Sequence, residues 1–225
     1  MTSPPDAAVL RLLAWLSPAF PTGGFAWSHG VEWAVDSGDV KDTVSLTLWI
    51  SDVLAHGAGR SDAILLRHAH RAQGDPERLA EIAELALATA PARERRAETV
   101  GQGNAFMRAA GPWDASVLTE LAARVGDIAY PVAVGAMAGR HGIGEDIACA
   151  ATLQAFAANL ISAAVRLVPL GQTAGLAALA ALEPVIAATA SAARGQTLDD
   201  IGGVAFRSDL AAMRHEIQYT RLFRS

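Results

Sequence analysis

The sequence predicts an all-α fold: a single-domain bundle of about ten helices around a central apolar helix. Three observations carry this. Apolar residues recur at helical spacing through most of the chain, and no stretch alternates with period two over the length of a strand. Caps, prolines and glycines fall between those periodic stretches. The longest apolar pattern, residues 144–172, is apolar on nearly every face, as expected of a helix enclosed by others. The 225 residues form one domain, 52% of them hydrophobic, which is ample for a core.

Taken in order, residues 1–6 read as a frayed end. Residues 7–17 form a short helix with Val9, Leu12, Leu13 and Leu16 apolar, stopped by Pro18. In the stretch over residues 17–32, two prolines and the Gly23-Gly24 pair forbid regular structure. Ser28 reads as the N-cap of a helix over 29–37, closed by Gly38. Asp42 caps a helix to about His56, and another runs from Arg60 to about Gln73. Asp75-Pro76 is a cap followed by proline at the first helical position, and that helix ends before Pro91. Pro91 opens the next, whose charged run Arg93, Glu94, Arg95, Arg96 and Glu98 reads as a solvated face.

Shorter helices follow over 112–125 and from Tyr130-Pro131 to about His141. In the central helix, Glu145 and Asp146 complement the positive N-terminal end of the helix dipole, and Pro169 stops it. A helix over 173–194 contains Pro184, and a last one spans 208–215. The tail from about residue 197 reads as loosely held, with arginines that lack an evident partner. Residues 144–172 are also long enough to cross a bilayer. Gln154, Asn159 and Arg166 inside that stretch, and the absence of a basic flank or aromatic belt, favour a core helix over a span.

Chemistry is mostly absent. The net charge of −5 disfavours broad nucleic-acid binding, and Lys41 is the only lysine among 18 basic residues. Neither a P-loop nor a GxGxxG is present. His215-Glu216 begins like HExxH, but Tyr219 stands where the second histidine belongs. His68 and His70 are two apart on a helix and point to different faces. No Cys/His/carboxylate cluster supplies metal ligands, so no metal or cofactor is expected to be bound by this chain. Cys149 is the sole cysteine; it reads as a small buried hydrophobe and suits the cytosol. Residues 1–10 lack a basic region before their apolar run, so no signal peptide is expected there. Ser28, His29 and Glu32 leave a small helical enzyme open as an alternative, although the same spacing is a capping pattern. A two-span membrane protein is the other alternative.

Four stretches together resemble the urease accessory protein UreF family: SPAFPTGGFAWSHGVE (17–32), YPVAVGAMAGRHGI (130–143), NLISAAVRLVPLGQT (159–173) and MRHEIQYTRLFRS (213–225). Their order and spacing cover nearly the whole chain. The matching residues are Ser17, Pro18, Pro21, Gly23, Phe25, Ser28, His29, Gly30 and Glu32, then Tyr130, Pro131, Arg166, Pro169, Gly171 and Gln172. They continue with His215, Glu216, Arg221, Leu222, Phe223 and Ser225. Ala129 departs from the family, where many relatives have histidine, and Val31 stands where leucine is usual.

The resemblance implies a cytoplasmic, non-enzymatic homodimer that acts as a nickel-insertion chaperone in urease metallocentre assembly. It implies binding of UreD (also called UreH), recruitment of the GTPase UreG and delivery of nickel to apo-urease. Nickel and GTP are then handled by the complex. The partner-binding residues it implies are His215, Glu216, Tyr219, Arg221, Leu222, Phe223 and Arg224, with Leu222 and Phe223 as apolar anchors.

Overall fold

Helical periodicity becomes eleven α-helices and no strand among the described residues. In the computed structural model these are residues 5–225, with side chains described from Ala7 onward. The helices are α1 (Pro5–Trp15), α2 (Val31–Asp36), α3 (Thr43–His56), α4 (Ala58–Arg71), α5 (Pro76–Ala88), α6 (Arg93–Ala109), α7 (Ser116–Val125), α8 (Tyr130–Arg140), α9 (Glu145–Leu167), α10 (Gly171–Ala192) and α11 (Phe206–His215). Most of the frayed end expected at 1–6 lies outside the described residues.

Local chemistry sets most boundaries. Asp42 and Ser45 form a reciprocal capping box that starts α3. Asp75 accepts from the Arg78 amide, with Pro76 at the first turn of α5. The start of α2 differs from expectation. His29 (φ 58°) and Gly30 (φ 79°) are both left-handed, so the chain turns sharply and the helix begins at Val31. Ser28 Oγ still accepts from the Glu32 amide at 3.2 Å. α10 runs through Pro184 without a break. Pro184 and Ala180, four residues before it, are both exposed, so the carbonyl left without a partner faces solvent.

α9 packs against α10, α8, α4, α3 and α2, as a central helix should. The shorter α8 is enclosed still further, with Pro131 to Ala138 buried without interruption. α9 and α10 are each long and apolar enough to cross a bilayer, but here they pack on one another within the bundle. The close approach of α8 to α4 depends on Gly135, where a Cβ would strike the Leu66 carbonyl oxygen.

The N-terminus of α9 is held by Arg67, which is 1% exposed. Arg67 donates to Glu145 Oε1 at 2.5 Å, to Asp146 Oδ1 at 2.8 Å and to the Ala190 carbonyl at 2.7 Å. Arg71 donates to Glu145 as well, at 2.6 and 2.8 Å. One buried guanidinium therefore joins α4, α9 and α10. Cys149 is fully buried in α9, as expected, and burial pushes its thiol up to about 11.

Two outcomes follow from this packing. Gly135→Ala should destabilise the fold by about 1–3 kcal/mol through overpacking of α8 on α4, read as a lower unfolding midpoint. Burial acts to raise the Glu145 carboxyl from 4.5, but its hydrogen bonds to Arg71 and Arg67 outweigh burial and lower it. A carboxyl lowered in the native state adds stability above 4.5 and loses it as pH falls through the native value. The stability gap between the natural protein and Glu145→Gln should therefore close as pH drops from about 6 to about 3 in denaturant titrations.

Candidate functional site: a strap, a tail and three buried glutamates

Residues 17–30 form a strap between α1 and α2, and residues 216–225 form a tail after α11. Sequence spacing suggests that both are irregular. The structure ties them to each other. The tail runs alongside the strap in the same direction, where Arg224 N donates to the Ala26 carbonyl at 2.9 Å and Ser28 N donates to the Ser225 carbonyl at 3.1 Å. Ser28 Oγ also donates to the Ser225 carbonyl, and His29 N donates to Ser225 Oγ at 3.1 Å.

Glu32, on the first turn of α2, holds the tail. Its carboxylate accepts from Leu222 N at 2.6 Å, from Phe223 N at 2.9 Å and from His215 Nε2 at 3.0 Å. The other ring nitrogen of His215 donates to Glu94 Oε2 at 2.7 Å, and Glu94 Oε1 accepts from Arg221 at 2.8 Å. His215 is 0% exposed, so this imidazole is a buried bridge between two carboxylates. Both carboxylates find hydrogen-bond partners in place of water, which is what allows them to be buried.

The third glutamate, Glu98, accepts from Arg95 at 2.7 Å, from Ser225 Oγ at 3.0 Å and from Gln102 at 3.4 Å. Arg95 also reaches His29 Nδ1, and the His29 ring meets Phe156 edge-on at 4.8 Å. On the other side of the strap, the Arg166 guanidinium lies 3.7 Å from the centre of Phe25 and 4.1 Å from Phe223, and donates to the Phe25 carbonyl at 2.7 Å. Gly30 fits because α11 passes directly over it; a Cβ there would lie 2.9 Å from Ala212 N.

Several expectations are corrected by this geometry. The tail is anchored rather than loose, and from Gly202 to Val204 it also bonds to α3 and α4 through the His56 carbonyl and Arg60. Arg221 has an intrachain partner in Glu94. Arg224 stacks 5.9 Å from Trp27. The charged run at 93–98 is not a solvated face: Glu94 and Glu98, four apart, point inward while Arg93 and Arg96 stay exposed. That i, i+4 spacing, continued by Gln102, was the available signal. Ser28, His29 and Glu32 do not form a catalytic relay. Ser28 and Glu32 are engaged with the tail, and the His29 ring faces Arg95 and Glu98.

Of the residues expected to bind partners, Tyr219, Arg221, Leu222 and Arg224 are exposed. His215 and Phe223 are buried, and Glu216 is partly covered while accepting from the Arg93 amide at 3.0 Å. Gly23, with φ 76°, shapes the strap. Pro21 is an exposed strap residue. Ser17, Pro18, Phe25, His29, Tyr130 and Pro131 line a cavity of about 680 Å³ behind the strap. Pro169, Gly171 and Gln172 build the α9–α10 turn instead. Ala129 is buried at the N-terminus of α8, beside Gly103 of α6.

Glu32→Gln replaces a charged acceptor of three hydrogen bonds by one neutral oxygen and a competing donor. Hydrogen bonds to a charged group contribute about 1.5–3 kcal/mol each. Hydrogen exchange at the Leu222 and Phe223 amides should therefore accelerate by at least about tenfold in this variant, while α8 amides keep their protection.

The model of the UreF family matches residues 40–183. Over its full length the chain is 52% identical to the urease accessory protein UreF of Bradyrhizobium sp. strain BTAi1, covering 95% of that protein. It is 52% identical to the UreF of Rhodopseudomonas palustris strain BisA53 over 97% of this chain and 94% of the relative. The UreF of Methylorubrum populi is 51% identical over 96% of this chain and 98% of the relative. The chain thus belongs to the UreF family of urease accessory proteins.

Proposed function

We propose that this chain is a non-catalytic, cytoplasmic scaffold in urease maturation. As a homodimer it binds UreD/UreH, recruits the GTPase UreG and assists GTP-dependent nickel insertion into apo-urease, without a cofactor of its own. The observation that supports this best is an exposed apolar face beside an anchored tail. Phe206, Leu210, Met213 and Ile217 follow one another at intervals of four, three and four along and just beyond α11, and all four are exposed. Tyr219, fully exposed, and Leu222, at 64%, add exposed apolar side chains on either side of Arg221 in the chain. A contiguous exposed apolar surface of this kind suits a protein partner.

Anchoring refines the role of the tail. With Phe223 sealed under Arg166 and the Leu222 and Phe223 amides on Glu32, the outward side chains are already positioned. Preorganised groups lose less entropy on binding than a disordered segment does. Arg221 presents a planar guanidinium at the edge of this surface, which suits bidentate pairing with a partner carboxylate and which lysine cannot reproduce.

Arg221→Ala should change unfolding stability by less than about 1 kcal/mol, because Arg221 is exposed and Glu94 keeps His215. The same variant should lose co-purification of UreG and urease activation in cells, and Arg221→Lys should restore them only in part. Leu210→Asp with Ile217→Asp should abolish co-purification of UreD. Wild-type recruitment and activation by Arg221→Ala would place the recruitment site elsewhere on the helical body.

A further inference from the structure

The cavity of about 680 Å³ lies between α1, the strap, α6 and α9, within the size range of small-molecule sites. Leu12, Leu16, Phe20 and Phe156 are among its apolar walls. Its lining also includes the ionisable side chains His29, Asp62, Arg95 and Glu98. These four differ in one respect. Arg95 and Glu98 bond to each other, and His29 meets both. Asp62 has no hydrogen-bond or ion-pair partner among the described residues.

We propose that this cavity binds a small organic cation with an apolar body, its ammonium group seated on Asp62. Shape and charge select that class. The apolar walls accept a hydrocarbon or aromatic body. The lining carries two carboxylates against one guanidinium, so an anionic head group would be repelled. Among the described residues no three His, Cys, Asp or Glu side chains converge as metal ligands, which points to an ammonium rather than a bare ion. Burial first, and the neighbouring Glu98 second, push the Asp62 carboxyl up to about 7, and a bound cation would restore its ionised form. The site is separate from the α11 face and goes beyond the scaffold role. It shares Glu98 with the tail anchor, so occupancy and tail docking act on the same side chain.

Titration of the full chain with decylammonium chloride, decanol and sodium decanoate, followed by calorimetry and by tryptophan fluorescence, tests the proposal. At about pH 8, decylammonium should bind saturably at one site, at least about tenfold more tightly than decanol or decanoate. Asp62→Asn should bring decylammonium down to the level of decanol. Ala155→Trp, which fills the cavity, should remove binding of all three. The other ionisable groups facing the cavity are Arg95 and Glu98 from α6, His29 from the strap and Tyr130 from α8; α1 and α9 contribute only uncharged side chains. Wild-type affinity for decylammonium should fall about tenfold from pH 8 to pH 6, because Asp62 must lose its proton to bind, and Asp62→Asn should not show that fall.

Equal affinity for the three head groups, or non-saturable partition, in the unmodified protein would overturn the proposal even if neither variant folds. Co-purification with UreG does not enter this readout, so failure here leaves the scaffold role standing.

Discussion

Glu32 is the constraint on which the functional end of the molecule depends. Glu32 is 6% exposed, and its carboxylate collects the last turn of α11, through His215, together with two successive tail amides. A buried carboxylate is tolerated only where donors replace water, and three donors do so here. The same three contacts stop the tail from leaving, because each would leave a buried group unsatisfied. The short α2 exists to place this one side chain: His29 and Gly30 turn the chain, Val31 enters the core, and Glu32 then faces the tail.

The rest of the bundle serves as a rigid base for that junction. Arg67 binds α4, α9 and α10 at one point, and the glycines of α8 allow backbone-to-backbone approach to α4. Rigidity at that level makes the placement of Phe156 and Arg166, both on α9, reliable at the strap. A long helix contributes a ring to the wall behind His29 and a guanidinium to the front beside Phe25. The exposed face of α11 and the outward tail residues are therefore carried on a surface that needs little ordering to receive a partner.

The cavity behind the strap follows from the same construction. The strap has little regular structure with which to fill the space between α1 and α9, and Ser17, Pro18, Phe20, Phe25 and His29 line the cavity that is left. Asp62 has no partner among the described residues because Arg95, the guanidinium lining the same cavity, is engaged with Glu98 and His29. An unpaired carboxyl beside an apolar chamber is costly to the fold, which is the usual mark of a position kept for something other than stability.

The sequence by itself determined what local rules govern. The caps Asp42 and Asp75, with Pro76, Pro131 and Pro169, marked helix starts and stops, and helical periodicity named the class and the central helix. The four motif stretches pointed to the UreF family, which the family match over 40–183 then showed. Only the tertiary structure decided which charges are buried. Glu94 and Glu98 sit in a run that is as polar as any solvated helix face, and their burial depends on His215, Arg221 and Ser225, more than 100 positions later. The tail looked loose for the same reason: its acceptors, Glu32 and Ala26, lie about 190 residues upstream. Periodicity and capping act over one or two turns, whereas the charge pairing that fixes this junction is a contact between opposite ends of the chain, and no local pattern encodes it.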